Sequence, residues 1–229
     1  MNMLCTDKTG TLTEGVVQVE GAYDADGNPS DHILDLAACN AAFETGVTSP
    51  LDDAITTACE PDLTSVRKLA EVPFDFIRKR VSIAVQGAEG IRLITKGAFH
   101  RVLDICTQSA DGSALDEMAS AQIEQRYEAW TARGIRVLAV AVRSSDDQPA
   151  YGRDDEREMR FMGFVTFLDR PRDGVAEALQ QLTSLGVSVK LITGDSALVA
   201  RHVASLVGMR AERVMTGRDL ATLHDEALW

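Results

Sequence analysis

The chain has 229 residues, of which 45% are hydrophobic and 25% charged, an ordinary composition for a globular protein and a length sufficient for two domains. A formal net charge of -12 argues against binding nucleic acid or anionic lipid through charge alone. The four cysteines lack metal-ligand spacing, and no apolar run reaches the roughly 18 residues of a membrane span, so we expect free thiols in a reducing compartment and a soluble chain.

The first predicted element is a short buried strand over residues 1–4, which leads into the sequence CTDKTGTLT. Asp7 would therefore stand at the carboxyl end of a strand, where open α/β sheets place their ligand chemistry. A carboxylate there can act as a covalent nucleophile toward phosphorus. Lys8, the hydroxyl groups and the loop amides would hold phosphate oxygens, and Gly10 would permit close approach of the backbone. A threonine-rich helix cap that happens to contain an aspartate is the alternative.

Residues 16–160 mix strands and helices in the manner of an α+β module. Alternation over residues 16–25 and the turn signal at residues 24–29 predict a hairpin, and Ser30 is expected to begin a helix that ends near Phe43. The further predicted elements are a helix with Asp52 and Asp53 in its first turn, a hairpin of residues 81–86 and 91–95, a helix over 117–132, a strand over 135–143, a mobile polar loop over 144–158 and a strand over 159–168.

From residue 174 the pattern changes to helix, strand, helix, over residues 174–186, 187–192 and 196–207. The triplet Thr193-Gly194-Asp195 follows the strand, as expected for a parallel sheet flanked by helices with polar residues at a strand tip. Taken alone, such a triplet is most often the N-terminal cap of a helix.

A third candidate segment, PFDFIRKR at residues 73–80, combines aromatic rings with three consecutive cations. Aromatic faces can stack on adenine, and lysine or arginine can neutralise a triphosphate. Taken alone, three adjacent cations most often mark a solvated edge. The four histidines show no ligand spacing.

Residues 7–13 resemble the DKTGTLT phosphorylation motif of the P-type ion-pumping ATPases, and residues 193–195 resemble their TGD motif. The resemblance implies that Asp7 is the phosphorylated nucleophile, that Thr193 and Gly194 hold a phosphate oxygen near it, and that Asp195 orders the metal shell. It implies ATP and Mg²⁺ as cofactors, with Asp7 and Thr9 as metal ligands.

The same resemblance extends through the middle of the chain. It implies that Phe74 stacks on adenine, that Lys79 and Arg136 reach the phosphates, and that the KGA motif, Lys96 and Gly97, borders the adenine pocket. The remaining residue that the resemblance marks as nucleotide-binding is Asp52, near the adenine amino group; a plain first-turn helix acid is equally compatible with its position.

The resemblance implies an α/β haloacid dehalogenase-like (Rossmann-like) phosphorylation domain, incomplete, with an inserted α+β nucleotide-binding domain. Residues 1–15 and 161–229 would belong to the phosphorylation domain and residues 16–160 to the nucleotide-binding domain. Haloacid dehalogenase-like phosphatases carry a second aspartate two residues after the nucleophile, where this chain has Thr9, so the aspartyl phosphate should persist as a pump requires.

The amino-acid sequences of the motifs are most similar to those of the magnesium-translocating branch of the family. The expected partners are ATP and the transmembrane and actuator domains of the same parent chain, with no nucleic acid, at the cytoplasmic face of the inner membrane. The GDGVNDAP loop of the family is not found among these 229 residues, so we expect them to be inactive by themselves. A stand-alone nucleotide-binding module and a soluble haloacid dehalogenase-like phosphatase are the alternatives.

Overall fold

The computed structural model describes residues 2–46, 49–146, 148, 150–194, 197–209, 214–217 and 219. The chain divides into two compact units. The first comprises Met1–Val16, Thr131–Ile135 and Asp169–Trp229, and the second comprises Val17–Trp130 and Arg136–Leu168.

The elements are listed here in chain order. The strands are β1 (Met3–Asp7), β2 (Thr13–Asp24), β3 (Arg67–Val72), β4 (Arg80–Gly87), β5 (Gly90–Ala98), β6 (Cys106–Gln108), β7 (Arg136–Ser145), β8 (Met159–Pro171) and β9 (Ser188–Ile192). The helices are α1 (Asp31–Phe43), α2 (Pro50–Ala58), α3 (Phe99–Leu103), α4 (Glu117–Ala132), α5 (Val175–Ser184) and α6 (Ala197–Leu206), and Arg153–Asp155 form a short 3₁₀ turn.

In the first unit, β1 and β9 form a two-stranded parallel sheet, in which Met3 pairs with Ser188 and Asp7 pairs with Ile192. A small apolar cluster of Leu12, Leu179 and Val207 packs beside it. The parallel pairing brings the carboxyl ends of β1 and β9 to the same edge, as the helix-strand-helix pattern predicts.

The second unit contains a seven-stranded sheet in the order β2-β8-β7-β5-β4-β3, with β6 paired to β8. The β3–β4, β4–β5, β5–β7 and β7–β8 pairs are antiparallel. The predicted hairpin is confirmed, since Gly87 pairs with Gly90 at the turn between β4 and β5. Antiparallel pairing places the start of β4, the end of β5 and the start of β7 at one end of this sheet.

Alternate strand residues of the large sheet point to opposite sides, and both faces of the sheet are covered. Helices α1 and α2 pack on one face, where the core includes Ile83, Ile94 and Val140. On the other side an aromatic cluster forms, in which Phe99 stacks on Tyr127 with ring centroids 4.1 Å apart and Phe164 packs edge-on against Trp130 at 5.0 Å.

Besides the burial expected of the first strand, which no residue of β1 shows, two expectations from the sequence are wrong. The hairpin expected at residues 24–29 is reduced to a single bridge between Tyr23 and Pro29, after which the chain enters α1. The Asp24 carboxylate closes the turn by accepting the N–H groups of Asp26 and Asn28, and the apolar spacing beyond it is helical. The second error concerns the segment 144–158, where Glu156 is buried rather than part of a mobile polar loop.

Candidate functional site

The loop after β1 holds its shape through its own backbone. The Asp7 carboxylate accepts the N–H of Lys8 at 2.8 Å, and the Lys8 carbonyl accepts the Thr13 hydroxyl at 3.2 Å. The turn Lys8–Leu12 is interrupted at Thr9 and Gly10, and Gly10 has a φ of 75°. A residue with a side chain rarely adopts that angle, so glycine at position 10 suits the turn.

Asp7 and Lys8 differ sharply in exposure. Asp7 and Thr9 are exposed, as a nucleophile and its neighbour would need to be, whereas Lys8 is only 2% exposed. In this arrangement the Lys8 ammonium faces the interior of the unit and not the open side of the loop.

The TGD segment lies at the same sheet edge as Asp7. Because Asp7 pairs with Ile192, Thr193 and Gly194 directly follow the strand residue that lies beside Asp7. The sheet thus brings Asp7, Thr193 and Gly194 to one edge, while Asp195 lies outside the described residues.

The loop before β4 presents apolar side chains to solvent. Phe74 is 44% exposed and contacts Phe76 edge-on, with ring centroids 5.5 Å apart. The Asp75 carboxylate accepts the N–H groups of Ile77 and Arg78 at 2.8 and 2.7 Å. Hydrogen bonds from the backbone and the guanidinium of Arg78 lower the pKa of Asp75 to about 2, so this turn holds its charge throughout the neutral range.

Two of the three consecutive cations bind a buried carboxylate that sequence reasoning missed. The Glu156 side chain is fully buried, and its oxygens accept from Arg78 Nη1 at 2.6 and 2.5 Å and from Arg80 Nε at 2.9 Å. Residue 156 is separated from these arginines by 78 and 76 positions in the chain, so no local pattern signals the contact.

Lys79, between those two arginines, behaves differently. It is exposed, and within the described part of the chain its side chain forms no ion pair. Its φ is 51°, a left-handed conformation that is uncommon for a residue with a side chain. The structure therefore turns the central cation of the triplet outward.

Lys96 and Asp52 are brought together, but in the interior. The Lys96 ammonium is 3% exposed and forms an ion pair with Asp52, while Glu44 Oε2 lies 3.6 Å from the same nitrogen. Asp52 also completes the capping box of α2, since its carboxylate accepts the N–H of the N-cap residue Ser49 at 3.1 Å and the Ser49 hydroxyl at 2.7 Å. Burial raises the pKa of Glu44, and the nearby Lys96 ammonium only partly opposes that effect.

Gly97 has a packing role that only its small size allows. A Cβ at position 97 would lie 2.5 Å from the Lys79 carbonyl oxygen and 2.7 Å from Arg80 Cα. The Ala98 N–H donates to that carbonyl at 2.9 Å, so the loop carrying Lys79 lies directly against the end of β5. Gly97 therefore permits this close backbone contact.

Arg136 is the first residue of β7 and is exposed. It lies at the sheet end where β4 begins with Arg80 and β5 finishes with Ala98. This end of the sheet therefore brings together Lys79, Gly97 and Arg136, three of the residues that the sequence marks as nucleotide-binding.

Two further searches concern only the residues that the structure describes. No group of three or more histidine, cysteine, aspartate or glutamate side chains there is arranged to hold a metal ion. No helix in that part of the chain is long and apolar enough to cross a membrane.

A family model described as "P-type ATPase, cytoplasmic domain N" matches residues 18–174, more than half of the chain. The chain belongs to the P-type ATPase family. The match covers the whole second unit except Val17, including the loop with Phe74 and Lys79 and the Lys96–Asp52 pair.

The relatives extend over both units. The chain is 37% identical, over its full length, to a magnesium-transporting ATPase, P-type 1, of Salmonella typhimurium and 36% identical to that of Escherichia coli. It is 29% identical to a probable proton ATPase 1A of Leishmania donovani over 98% of this chain. The chain spans 26% of the length of the first two relatives and 22% of the third.

Proposed function

We propose that the second unit of this P-type ATPase chain binds ATP at the sheet end that carries Lys79, Gly97 and Arg136. The observation that carries the proposal is that the loop before β4 exposes both Lys79 and the ring of Phe74 to solvent. An exposed ring offers stacking to adenine, and an unpaired ammonium offers charge to phosphate. Arg136, at the same sheet end, would supply a second cation to the phosphates.

Lys96 and Asp52 would contribute to the adenine side of this pocket in a different way. Because their charges are already paired with one another, the pair offers the ligand little net charge. Gly97 would keep the end of β5 close to the Lys79 loop, so that the pocket wall and the phosphate-binding cation move as one element.

We further propose that the first unit is part of a haloacid dehalogenase-like phosphorylation domain into which the second unit is inserted. Asp7 would be the phosphoryl acceptor, and its exposure and its place beside Thr193 and Gly194 support that role. Lys8 would support the loop from its buried position, and Asp195 would order the neighbouring loop. Thr9 cannot act as a general base, which favours a stable phosphoenzyme over a phosphatase.

The residues present do not by themselves form a Mg²⁺ site. Magnesium prefers several oxygen ligands in octahedral geometry, whereas the described residues around Asp7 offer one exposed carboxylate and the oxygens of Thr9. We therefore assign no step of the reaction to a metal held by these residues alone.

For the whole protein, we propose ATP-driven cation transport, with Mg²⁺ as the transported ion. The full-length similarity to magnesium-transporting ATPases of two bacteria supports this assignment. The partners would be transmembrane and actuator domains of the same protein, at the cytoplasmic face of the inner membrane. A stand-alone nucleotide-binding module, with no transport, is the competing proposal, because the chain spans 26% of those relatives.

The nucleotide site can be tested by titrating the 229-residue chain with ATP and following NMR shifts or heat. Phe74→Ala should weaken binding by about 1–3 kcal/mol, the typical worth of base–aromatic stacking, or roughly ten- to hundredfold. Phe74→Leu, which keeps apolar bulk but removes the ring, separates stacking from simple contact. Met118→Ala removes another exposed apolar side chain, from α4, and should leave the affinity unchanged.

A charge variant tests the phosphate side of the same site. Lys79→Met should weaken the binding of ATP far more than the binding of adenosine. The control is Lys190→Met, the same change at an exposed residue of β9, which should affect the binding of neither ligand. Equal binding of ATP by the Phe74→Ala variant and the unaltered chain would place the nucleotide elsewhere.

A further inference from the structure

The buried carboxylate of Glu156 is bound by two residues of β4 and by one residue of the loop before it. Besides Arg78 and Arg80, the Ser82 hydroxyl donates to Glu156 Oε1 at 2.7 Å, and Ser82 itself contacts the Thr95 hydroxyl of β5 at 2.7 Å. Every oxygen of this carboxylate is thus occupied by donors from residues 78–82. A buried charge with so many matched donors holds a defined geometry.

Arg78 links the Glu156 carboxylate to the loop before β4. Its guanidinium donates to the Pro73 carbonyl at 2.5 Å, to Asp75 Oδ2 at 2.8 Å and to Glu156 at the same time. Residues 73–78 therefore wrap around one guanidinium, and the exposed ring of Phe74 projects from this wrapped segment. The direction of that ring depends on where Glu156 holds Arg78.

Arg80 fixes the other side of Lys79. Its guanidinium binds Glu156 and also donates to the Arg101 carbonyl at 2.8 Å. Between the two arginines, the Lys79 N–H donates to the Asp75 carbonyl at 2.7 Å and the Lys79 carbonyl accepts from Ala98. With both neighbours drawn to one buried carboxylate, the backbone at Lys79 is confined to its left-handed conformation.

We propose that Glu156 is a positioning residue for nucleotide binding, which acts through Arg78 and Arg80 to present Phe74 and Lys79 to the ligand. The inference rests on the proposed ATP site and adds a residue outside it. Glu156 is fully buried, so it would act on the ligand only through the two arginines. Of the three adjacent cations, the two flanking arginines are ion-paired, Arg80 with Glu156 and Arg78 with both Glu156 and Asp75, and the central lysine has no ion pair among the described residues and remains for phosphate.

The test uses the 229-residue chain with Glu156→Gln, which keeps the size of the side chain but removes its charge. Two guanidinium groups then lose their shared counter-charge, and the loop should rearrange. We expect ATP affinity to fall about ten- to hundredfold, since displacement of a positioning group by about 1 Å can have effects of that order. The matched control is Glu89→Gln, which removes the exposed partner of Arg92 at the other end of the sheet and should leave affinity unchanged.

A purely stabilising role of Glu156 is distinguished by measuring ATP binding at a temperature at which every variant is folded. Melting curves define that temperature, and NMR amide signals of residues 74–79 report the loop directly. Positioning predicts shifted loop signals and weaker ATP binding in the folded variant, with partial recovery in Glu156→Asp, which restores the charge on a shorter side chain. A lowered melting temperature with unchanged loop signals and unchanged affinity would overturn the inference.

Two outcomes separate this inference from the proposed function. If the unaltered chain binds ATP and folded Glu156→Gln binds it equally well, only the role of Glu156 is refuted. If the unaltered chain binds no ATP, the proposed function fails and this inference fails with it. Should Glu156→Gln not fold, the affinity of Glu156→Asp decides: full wild-type affinity with displaced loop signals would contradict positioning.

Discussion

The two units hold their candidate residues by different means. In the second unit, β4 and β5 each contain five consecutive buried residues, and a sheet of seven strands is covered on both faces. In the first unit, no residue of β1 or β9 is buried, and Met3 and Ile192 are 56% and 62% exposed. Parallel strands are normally covered on both faces, and two strands alone are marginally stable.

This difference bears directly on the two candidate sites. The Lys79 loop is fixed by a buried ion cluster on a complete core, whereas the Asp7 loop is shaped by short-range hydrogen bonds beside a small cluster around Leu12. We therefore expect nucleotide binding to depend on the core of the second unit. We expect the geometry of the Asp7 loop to change more easily than that of the Lys79 loop.

The largest expected effect is on stability. Phe164→Ala should lower the free energy of unfolding by about 3–5 kcal/mol, the usual cost of removing a fully buried aromatic side chain. Phe164 is 0% exposed and packs against Phe99, Phe161 and Trp130. Urea unfolding followed by near-UV circular dichroism measures the change.

Ile192→Ala, in β9, is the matched test of the first unit. Ile192 is 62% exposed, so the change should alter unfolding by no more than about 0.5 kcal/mol. If both variants lost the same stability, the contrast between a complete and a sparse core would be refuted.

A smaller effect is expected from pH. Burial raises the pKa of Glu44 above its ordinary 4.5, so the folded chain binds this proton more tightly than the unfolded chain. By linkage, this group adds stability as pH falls from neutral toward 4.5, by at most about 1.4 kcal/mol per pH unit. Burial acts to raise the pKa of Glu71, but its bonds to Lys68 and Thr45 together outweigh burial and lower the pKa, so Glu71 keeps its stabilising charge through that window.

Glu44→Gln should remove this gain, so the difference in melting temperature between pH 7 and pH 5 should be smaller than in the unaltered chain. Exposed Glu60→Gln, an identical change outside the cluster, should keep the wild-type pH profile. An unchanged profile in Glu44→Gln would mean that this carboxyl does not carry the pH dependence.

The smallest effect is a difference in thiol reactivity. Burial raises the pKa of Cys106 to about 12 and that of Cys59 to about 11, so both thiols stay protonated at pH 8, whereas Cys5 in β1 is exposed. Peptide mapping after brief treatment with iodoacetamide should find Cys5 modified first. Modification of Cys106 as fast as Cys5 would show that the second unit opens more readily than its core suggests.

Local patterns predicted much of the secondary structure. The helix over residues 117–132 and the strand over residues 187–192 follow from hydrophobic periodicity, and the structure has Glu117–Ala132 and Ser188–Ile192. The turn at residues 24–29 predicts a hairpin where the structure has a helix, because turn chemistry does not specify whether a strand or a helix follows.

The family and the identity of the motif residues were readable from the sequence, because short strings such as DKTGTLT need no tertiary context. The roles within the basic triplet were not, because three adjacent cations look equivalent until one carboxylate, remote in the chain, pairs with two of them. Likewise, Lys8 and Lys96 are polar by sequence but buried in the structure. The amino-acid sequence alone specifies which chemical groups are present. Which of them face solvent follows only from the folded structure, because burial and ion pairing depend on contacts between residues that are distant in the chain.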